Sequence, residues 1–275
     1  MYYDLYSKKV INVKESKGLK FLYNTLIGRI ILKIATTHVI ANIYAKYMNS
    51  KLSKHKIKKF IKKNNINMDE YELKNYNSFN DFFMRKIKDN RRIINDGMIA
   101  ICDSKLSVYK INKDSSFKIK NSIYTVEELI KDNNCNYEYA LIFRLCVDDY
   151  HHYVYPDDGK VVSQKYIKGK LHTVQPIAHK RHKVFMENSR CVTMLDCENL
   201  GRVCYVEVGA MMIGKIVNDD KKLFKKGEEK GHFEFGGSTI VLLIEKNKVD
   251  INKLILDNTN KEIETIVKLG DSIGR

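Results

Sequence analysis

Proline, tryptophan and closely spaced cysteines are the scarce features of this sequence. It has two prolines, no tryptophan and six cysteines, none of which forms a C-x-x-C pair: Cys102, Cys135, Cys146, Cys191, Cys197 and Cys204. Disulfide frameworks and structural zinc sites rely on tighter, patterned cysteine spacing. We therefore predict reduced, structural thiols in a cytoplasmic compartment, and no metal site.

Long apolar runs are also missing from the N-terminal segment. Its longest uncharged stretch, residues 34–45, has twelve residues and includes two threonines, a histidine and an asparagine. Because a membrane-spanning helix needs about 20 mostly apolar residues, we expect no transmembrane anchor. We expect no cleaved signal peptide either, because no small-residue cleavage site follows a compact apolar block.

Positive charge is concentrated at one end of the chain. Residues 1–65 hold 15 Lys or Arg and 2 Asp or Glu, whereas the other 210 residues carry only +3 of the net charge of +16. Over residues 22–47 the apolar side chains recur at helical spacing: Leu22, Leu26, Ile27, Ile30, Ile31, Ile34, Val39, Ile40, Ile43 and Tyr47. We predict that residues 1–65 are a basic amphipathic helical region that associates with an anionic membrane surface.

Two other interpretations of this basic region stay open. Its helices could pack on the protein's own core with the lysines in water, and nucleic acid is a second kind of anionic partner. The sequence has no zinc-finger spacing and no RNA-binding aromatic motif, so we do not expect nucleic acid as a partner.

Residues 66–275 have the pattern of a catalytic domain. A helical segment near its start carries Phe79, Phe82 and Phe83 on one side, which is typical of core packing. Short β-rich runs separated by turn signals follow, at residues 105–111, 137–145, 192–195, 203–217 and 238–245. Such runs favour a sandwich or barrel over alternating βα units. We predict an α+β fold in which N-terminal amphipathic helices precede a β-rich, sandwich-like or barrel-like body.

Three short stretches could carry chemistry. Residues 236–237 are glycines that can adopt unusual backbone conformations, which would expose the carbonyl before Ser238 to its hydroxyl. On a strand, His151 and His152 would point to opposite faces, so one of them could act as a general base. Asp103 lies in an apolar run and could orient an imidazole. Tight turns and hydrogen-bonded structural histidines would also explain these residues.

Taken together, six strings occur in the order expected for the phosphatidylserine decarboxylases, which the chain resembles from about residue 20 to its end. They are SFNDFFMRKI, DDYHHYVYPDDG, GKLHTVQPIA, FMENSRCV, YVEVGAMMIGKI and KKGEEKGHFEFGGSTIVL. The resemblance implies that Ser238 attacks the Gly237 carbonyl and cuts the chain into a β chain, residues 1–237, and an α chain, residues 238–275. The two chains would stay together as a heterodimer.

The same resemblance implies a cofactor, a substrate and site residues. Ser238 would become a covalent pyruvoyl group that forms a Schiff base with phosphatidylserine and allows its decarboxylation to phosphatidylethanolamine. Asp103 and His151 would complete the self-cleavage set, and His151 would also transfer protons during decarboxylation. The family pattern places substrate binding at Tyr150, His172, Asn188 and Arg190.

The chain departs from the family pattern at several places. Val154 stands where many members have a second histidine, so no role of that histidine can be carried over to this chain, and His151 gains weight as the catalytic histidine. Ser104 replaces the turn glycine after the aspartate, and Arg91-Arg92 replaces an Arg-Pro pair, a change to which we attach no role.

Two other function classes use the same residues. A non-catalytic peripheral lipid-binding protein could keep the fold, and a serine hydrolase would use Ser238 as a lasting nucleophile. Both would leave the backbone uncut. Our expectation is a peripheral enzyme at the cytoplasmic face of the cell membrane.

Overall fold

The computed structural model describes residues 1–13, 16–119, 122–132, 136–211, 215–236 and 238–275. It confirms the predicted α+β class with N-terminal helices. The α-helices are α1 (Lys17–Asn24), α2 (Leu26–Ala35), α3 (His38–Asn49), α4 (Lys56–Asn64), α5 (Phe79–Phe83), α6 (Val126–Ile130), α7 (Val184–Glu187) and α8 (Lys253–Asn260). Short 3-10 helices span Lys51–His55, Met68–Glu70 and Ala178–Lys180.

The strands are numbered in chain order. They are β1 (Tyr2–Asp4), β2 (Lys9–Ile11), β3 (Met98–Ile99), β4 (Ser104–Lys110), β5 (Ser116–Ile119), β6 (Ser122–Thr125), β7 (Tyr137–Leu145), β8 (His152–Val154) and β9 (Gly159–Ile167). They continue with β10 (Arg190–Cys197), β11 (Gly201–Val208), β12 (Ile216–Asn218), β13 (Leu223–Phe224), β14 (Glu229–Phe233), β15 (Ser238–Glu245), β16 (Glu264–Val267) and β17 (Ser272–Gly274).

One ten-stranded sheet dominates the body, in the order β13-β9-β10-β11-β15-β7-β4-β16-β1-β2. All neighbours run antiparallel except β1 and β16, which are parallel. In the described part of the chain the sheet stays open, with β13 and β2 at its edges, so it is not barrel-like. A smaller sheet, β12-β14-β8, accompanies it.

The predicted strands correspond closely to the observed ones. The runs at 137–145 and 238–245 coincide with β7 and β15. The run at 203–217 is divided between β11 and β12, and its residues 212–214 lie outside the described residues.

Side chains of β15 alternate between two hydrophobic cores, one on each face of the large sheet. Ile240 and Leu242 point into the first core, together with Tyr205 and Phe143. Val241 and Leu243 point into the second core. This two-sided burial explains why the strand reads as a nearly continuous apolar run.

The helical periodicity over residues 22–47 is divided among α1, α2 and α3. Thr25 ends α1 and begins α2, and its hydroxyl accepts a 3.0 Å hydrogen bond from the Gly28 backbone N–H. Gly28 is required at this corner, because a Cβ would lie 2.1 Å from the carbonyl oxygen of Phe21. No single helix among the described residues is long and apolar enough to cross a membrane; α2 and α3 together have the length and composition of a span, but they are bent by 69° relative to each other.

The N-terminal helices pack on the catalytic body through a third apolar cluster. Met48 of α3 and Ile57 of α4 meet the buried phenylalanines of α5, and Phe235 packs against them. Asn80 of α5 connects these parts. Its side chain accepts a 2.8 Å hydrogen bond from the Phe235 N–H and donates a 2.9 Å hydrogen bond to Asn49 of α3.

Replacement of Asn80 should loosen this junction. We expect Asn80→Ala to lower the free energy of unfolding by about 1–3 kcal/mol, because the part-buried Phe235 N–H loses its acceptor. Asn49→Ala removes the hydrogen bond between Asn49 and Asn80, and Asn49 is exposed. This variant should therefore lower the free energy of unfolding by clearly less. Urea denaturation of both variants tests this, and equal destabilisation would contradict a role for the Phe235 contact.

Candidate active site

Ser238 is the first residue of β15 and is completely buried. It pairs with Leu145, the last residue of β7, while the next residue, Thr239, pairs with Val208 of β11. Gly236 has a φ of 143°, a backbone conformation that favours glycine. Gly237, the other half of the predicted cleavage site, lies outside the described residues.

A turn after β7 carries His151 back toward the start of β15. Asp149 stabilises the turn, because its carboxylate accepts a 2.7 Å hydrogen bond from the Cys146 N–H and forms a 2.7 Å ion pair with Lys105. The Asp149 carbonyl lies 2.8 Å from Nδ1 of His151. The His151 carbonyl in turn accepts a 3.0 Å hydrogen bond from Phe233, five residues before Ser238.

Of the two adjacent histidines, His151 is the one with an open ring nitrogen. Both nitrogens of His152 have partners, at 2.8 Å from Glu229 and 3.2 Å from the Met84 carbonyl. Nε2 of His151 and Oγ of Ser238 are buried and have no hydrogen-bond partner among the described residues. Buried polar atoms are rarely left this way, so each marks a candidate reactive group.

The environment of His151 favours a neutral imidazole. The residue is fully buried, and the Phe83 ring lies on it with a centroid distance of 4.1 Å. Burial, together with the positive charge of Arg85, lowers the pKa of His151 to about 3. The imidazole is therefore unprotonated near neutral pH and able to accept a proton.

Asp103 is held by an arginine and not by an imidazole. Arg92 binds its two carboxylate oxygens at 2.7 and 3.2 Å, and the Leu269 N–H donates a 2.8 Å hydrogen bond. Among the described hydrogen bonds none joins Asp103 to His151. Its role in self-cleavage stays a prediction.

Asn188 and Arg190 direct their polar groups to the protein backbone. Asn188 accepts a 2.9 Å hydrogen bond from the His172 N–H and donates to the carbonyls of His172 and Gly209 at 2.8 and 2.7 Å. Arg190 donates to four carbonyls, those of Leu129, Met186, Asn188 and Glu128. In this arrangement they fix the loop before β10, and a headgroup contact stays a prediction.

His172 belongs to a cluster at the docking site of α1. Its ring stacks on His182 at 4.0 Å and lies 3.4 Å from the Tyr23 hydroxyl. Its Nε2 is 3.6 Å from the Glu187 carboxylate, and burial, together with His182, lowers its pKa to about 4. The structure therefore ties this predicted substrate residue to the N-terminal helices.

Tyr150 lies between His152, on which it stacks at 4.8 Å, and Tyr71. Burial raises the pKa of its hydroxyl. Of the four predicted substrate-binding residues, Tyr150 lies next to His151 in sequence.

Comparison with known proteins assigns this chain to a family. The family model for phosphatidylserine decarboxylase matches residues 79–275. The chain belongs to the phosphatidylserine decarboxylase family. Phosphatidylserine decarboxylase proenzyme 2 of Clostridium acetobutylicum is 47% identical over 97% of this chain and 95% of its own length. The proenzymes of Clostridium tetani and Fusobacterium nucleatum are 38% and 37% identical over at least 97% of this chain and 93% of their own.

Membership in the phosphatidylserine decarboxylase family makes the protein a carboxy-lyase of phospholipid biosynthesis. Sequence reasoning missed Arg92, which replaces a family proline and yet binds Asp103 at two oxygens. Two adjacent arginines in a sequence are usually both exposed to water, so this position gave no indication that Arg92 binds a carboxylate. The contact depends on folding that brings residues 92 and 103 together.

The lowered pKa of His151 predicts a pH-dependent stability. An unfolded imidazole has a pKa of about 6.5, so between pH 6.5 and 3 the unfolded chain binds a proton that folded His151 does not. The free energy of unfolding should therefore fall as pH decreases through this window, by about 1.4 kcal/mol per pH unit.

Urea denaturation at about pH 7.5 and about pH 5 measures this slope. His151→Gln should reduce it, whereas His55→Gln, at an exposed position, should leave it unchanged. An unaltered slope in His151→Gln would mean that folding leaves the pKa of this imidazole unshifted.

Proposed function

We propose that this protein decarboxylates phosphatidylserine to phosphatidylethanolamine and carbon dioxide, using a pyruvoyl group that it makes from Ser238. The observation that carries the proposal is that two buried atoms have no hydrogen-bond partner among the described residues: Oγ of Ser238, the first residue of β15, and Nε2 of His151. The proenzyme names of the relatives support it. So does the positive φ of Gly236 beside the cleavage site.

Self-cleavage requires only groups of the chain and water. The Ser238 hydroxyl attacks the Gly237 carbonyl carbon, the amide C–N bond breaks, and an ester forms. Neutral His151 accepts the hydroxyl proton, which passes to the freed amino group. Loss of the Ser238 α-proton expels the upstream chain as a carboxylate, and the remaining dehydroalanine adds water and releases ammonia, which leaves the pyruvoyl group.

The two products would remain one heterodimer because of β15. The new α chain, residues 238–275, begins with a strand that is hydrogen-bonded to β11 and β7 and buried on both faces. Ile240 and Leu242 anchor it in the first core, and Val241 and Leu243 anchor it in the second. Separation of the chains would expose all this apolar surface.

The residues at the start of β15 fit a prosthetic group formed in place. A pyruvoyl group supplies a ketone that bonds to the substrate amine and accepts the electron pair left by carbon dioxide. His151 is placed to hold a proton at Nε2, and the rings of Phe83 and Phe235, with centroids 5.1 Å apart, exclude water from it.

Ser238→Ala tests the proposal, because alanine has no hydroxyl to attack the backbone. Wild-type protein should give two bands of about 28 and 4 kDa on a denaturing gel, in proportion to residues 1–237 and 238–275 of the 32.1 kDa chain. Ser238→Ala should give one uncut, inactive band. Thr239→Val, which removes the next hydroxyl along β15, should still be cut.

A single wild-type band without carbon dioxide release would reject the proposal. Labelling of that band by a fluorophosphonate would then identify a serine hydrolase. Vesicle binding without either reaction would identify a lipid-binding protein.

We also propose that the protein works as a peripheral enzyme at the cytoplasmic face of the cell membrane. An exposed apolar face on α2 and α3 supports this: Leu26, Ile27, Ile30, Ile34, Val39 and Ile43 are each 57–69% exposed. α4 carries further exposed lysines, Lys58, Lys59, Lys62 and Lys63, and each basic residue near an anionic leaflet contributes about 1 kcal/mol. Buried free thiols such as Cys102 and Cys204 agree with a reducing compartment.

A row of aromatic contacts runs from α3 to the site. Tyr44 of α3 lies 5.8 Å from Phe235, Phe235 lies 5.1 Å from Phe83, and Phe83 lies on His151. The helix that carries part of the exposed apolar face is therefore connected to His151 by direct ring contacts.

Polar substitutions on the apolar face should weaken membrane binding. We expect Ile30→Asn combined with Ile34→Asn to reduce binding to phosphatidylserine-containing vesicles at least about 10-fold, because less apolar area enters the interface. Binding of wild-type protein should also decrease with added salt. Leu73→Asn, at a position 89% exposed elsewhere on the surface, is the control. Unchanged binding of the double variant would place this face away from the membrane.

A further inference from the structure

Arg85 is a buried cation that no carboxylate of the described residues balances. Its side chain lies just after α5 and the residue is 1% exposed. Nη2 donates to the Asp148 carbonyl at 3.1 Å and to the Tyr71 hydroxyl at 3.3 Å. Nε and Nη1 have no hydrogen-bond partner, and no carboxylate of the described residues forms a salt bridge with Arg85.

Arg190 shows how the same fold treats a structural arginine. It is equally buried, at 1% exposure, and also lacks a carboxylate partner in the described part of the chain. Its Nε, Nη1 and Nη2 all donate to backbone carbonyls, at distances from 2.7 to 3.1 Å. The two open nitrogens of Arg85 are therefore not a general consequence of burying arginine in this protein.

A buried guanidinium with open donors is unfavourable unless something else satisfies it. Arginine cannot lose its proton at ordinary pH, so the charge persists. The rings of Tyr71 and Phe82, with centroids 4.4 and 5.0 Å away, compensate in part through cation–π interactions. They leave Nε and Nη1 free to donate to an anion.

The position of Arg85 places this charge beside the reacting groups. The carbonyl to which Nη2 donates belongs to Asp148, three residues before His151. Phe83, two residues before Arg85, packs its ring on the His151 ring. The positive charge of Arg85 also contributes to lowering the pKa of His151.

We propose that Arg85 is the subsite for the phosphodiester oxygen of the lipid headgroup. The inference rests on the proposed function, and it names the group that orients the substrate while its amine meets the carbonyl at position 238. In the uncut chain Phe235 fills the space against Phe83, and its tether to β15 is lost when the bond before Ser238 is cut.

The phosphodiester suits Arg85 better than the substrate carboxylate. The carboxylate loses its negative charge as carbon dioxide leaves, so a cation bound to it would stabilise the substrate more than the transition state. The phosphodiester keeps its charge throughout the reaction. Its binding therefore increases affinity without slowing the chemical step.

Arg85→Gln and Arg85→Lys test the subsite with dihexanoyl phosphatidylserine as substrate and dihexanoyl phosphatidylethanolamine as inhibitor. Arg85→Gln should raise both KM and the inhibition constant by about 10- to 100-fold, since a charged hydrogen bond is lost, with a smaller effect on kcat. Arg85→Lys keeps the charge but not the planar donors, so it should show smaller increases. Arg91→Gln, at an exposed position on the same segment, should match wild type.

The product lacks the carboxylate, so its inhibition constant separates the two anions. An increase in KM alone would assign Arg85 to the carboxylate and overturn the proposal. Wild-type values of both constants would also overturn it.

Cutting into two bands on a denaturing gel shows that each variant folds. If Arg85→Gln is not cut, the constants of Arg85→Lys test the proposal instead. Calorimetric titration of dihexanoyl phosphatidylethanolamine measures binding without turnover. A wild type that binds it through Arg85 but releases no carbon dioxide would reject the proposed function and keep the subsite.

Discussion

β15 is hydrogen-bonded to β11 on one side and to β7 on the other, and its side chains enter two separate cores. These contacts fix the position of Ser238 at the first rung of the strand, opposite Leu145. The turn that carries His151 begins directly after β7. It ends where the His151 carbonyl accepts a hydrogen bond from Phe233, five residues before Ser238. A strand held on four sides can keep a reactive group in place even if the peptide bond before it is broken, because the cores hold it without that bond.

The buried polar side chains of this domain differ in how many of their atoms have a hydrogen-bond partner. Every side-chain nitrogen of Asn188 and Arg190 donates to at least one backbone carbonyl, which makes these residues parts of the scaffold. Ser238, His151 and Arg85 have buried atoms without partners. Unsatisfied groups of this kind cost stability, which makes each of them a candidate for chemistry or ligand binding.

The N-terminal helices connect this site to the outside of the molecule. α2 and α3 expose a row of isoleucines and other apolar residues, while the opposite side of α3 packs through Met48 and Tyr44 against α5 and Phe235. One helix thus has an exposed apolar face and a face directed toward the reacting groups. Apolar surface of this kind is unfavourable in water, and a role at an interface accounts for its exposure.

Much of the fold and part of the site followed from the sequence alone. The short β-rich runs predicted β7 and β15 to the residue, and the glycines before Ser238, with the ordered family strings, pointed to the proposed cleavage site and to His151. These signals are local, since strand periodicity and turn composition depend on neighbouring residues. Three features depend on which distant segments meet in the fold: the partners of Asp103, the carbonyls that accept hydrogen bonds from Arg190, and the donors of Arg85 that have no partner. The sequence does not show whether the donors of a buried arginine have partners. Only the tertiary structure could therefore distinguish Arg190, a scaffold residue, from Arg85, the candidate binding residue.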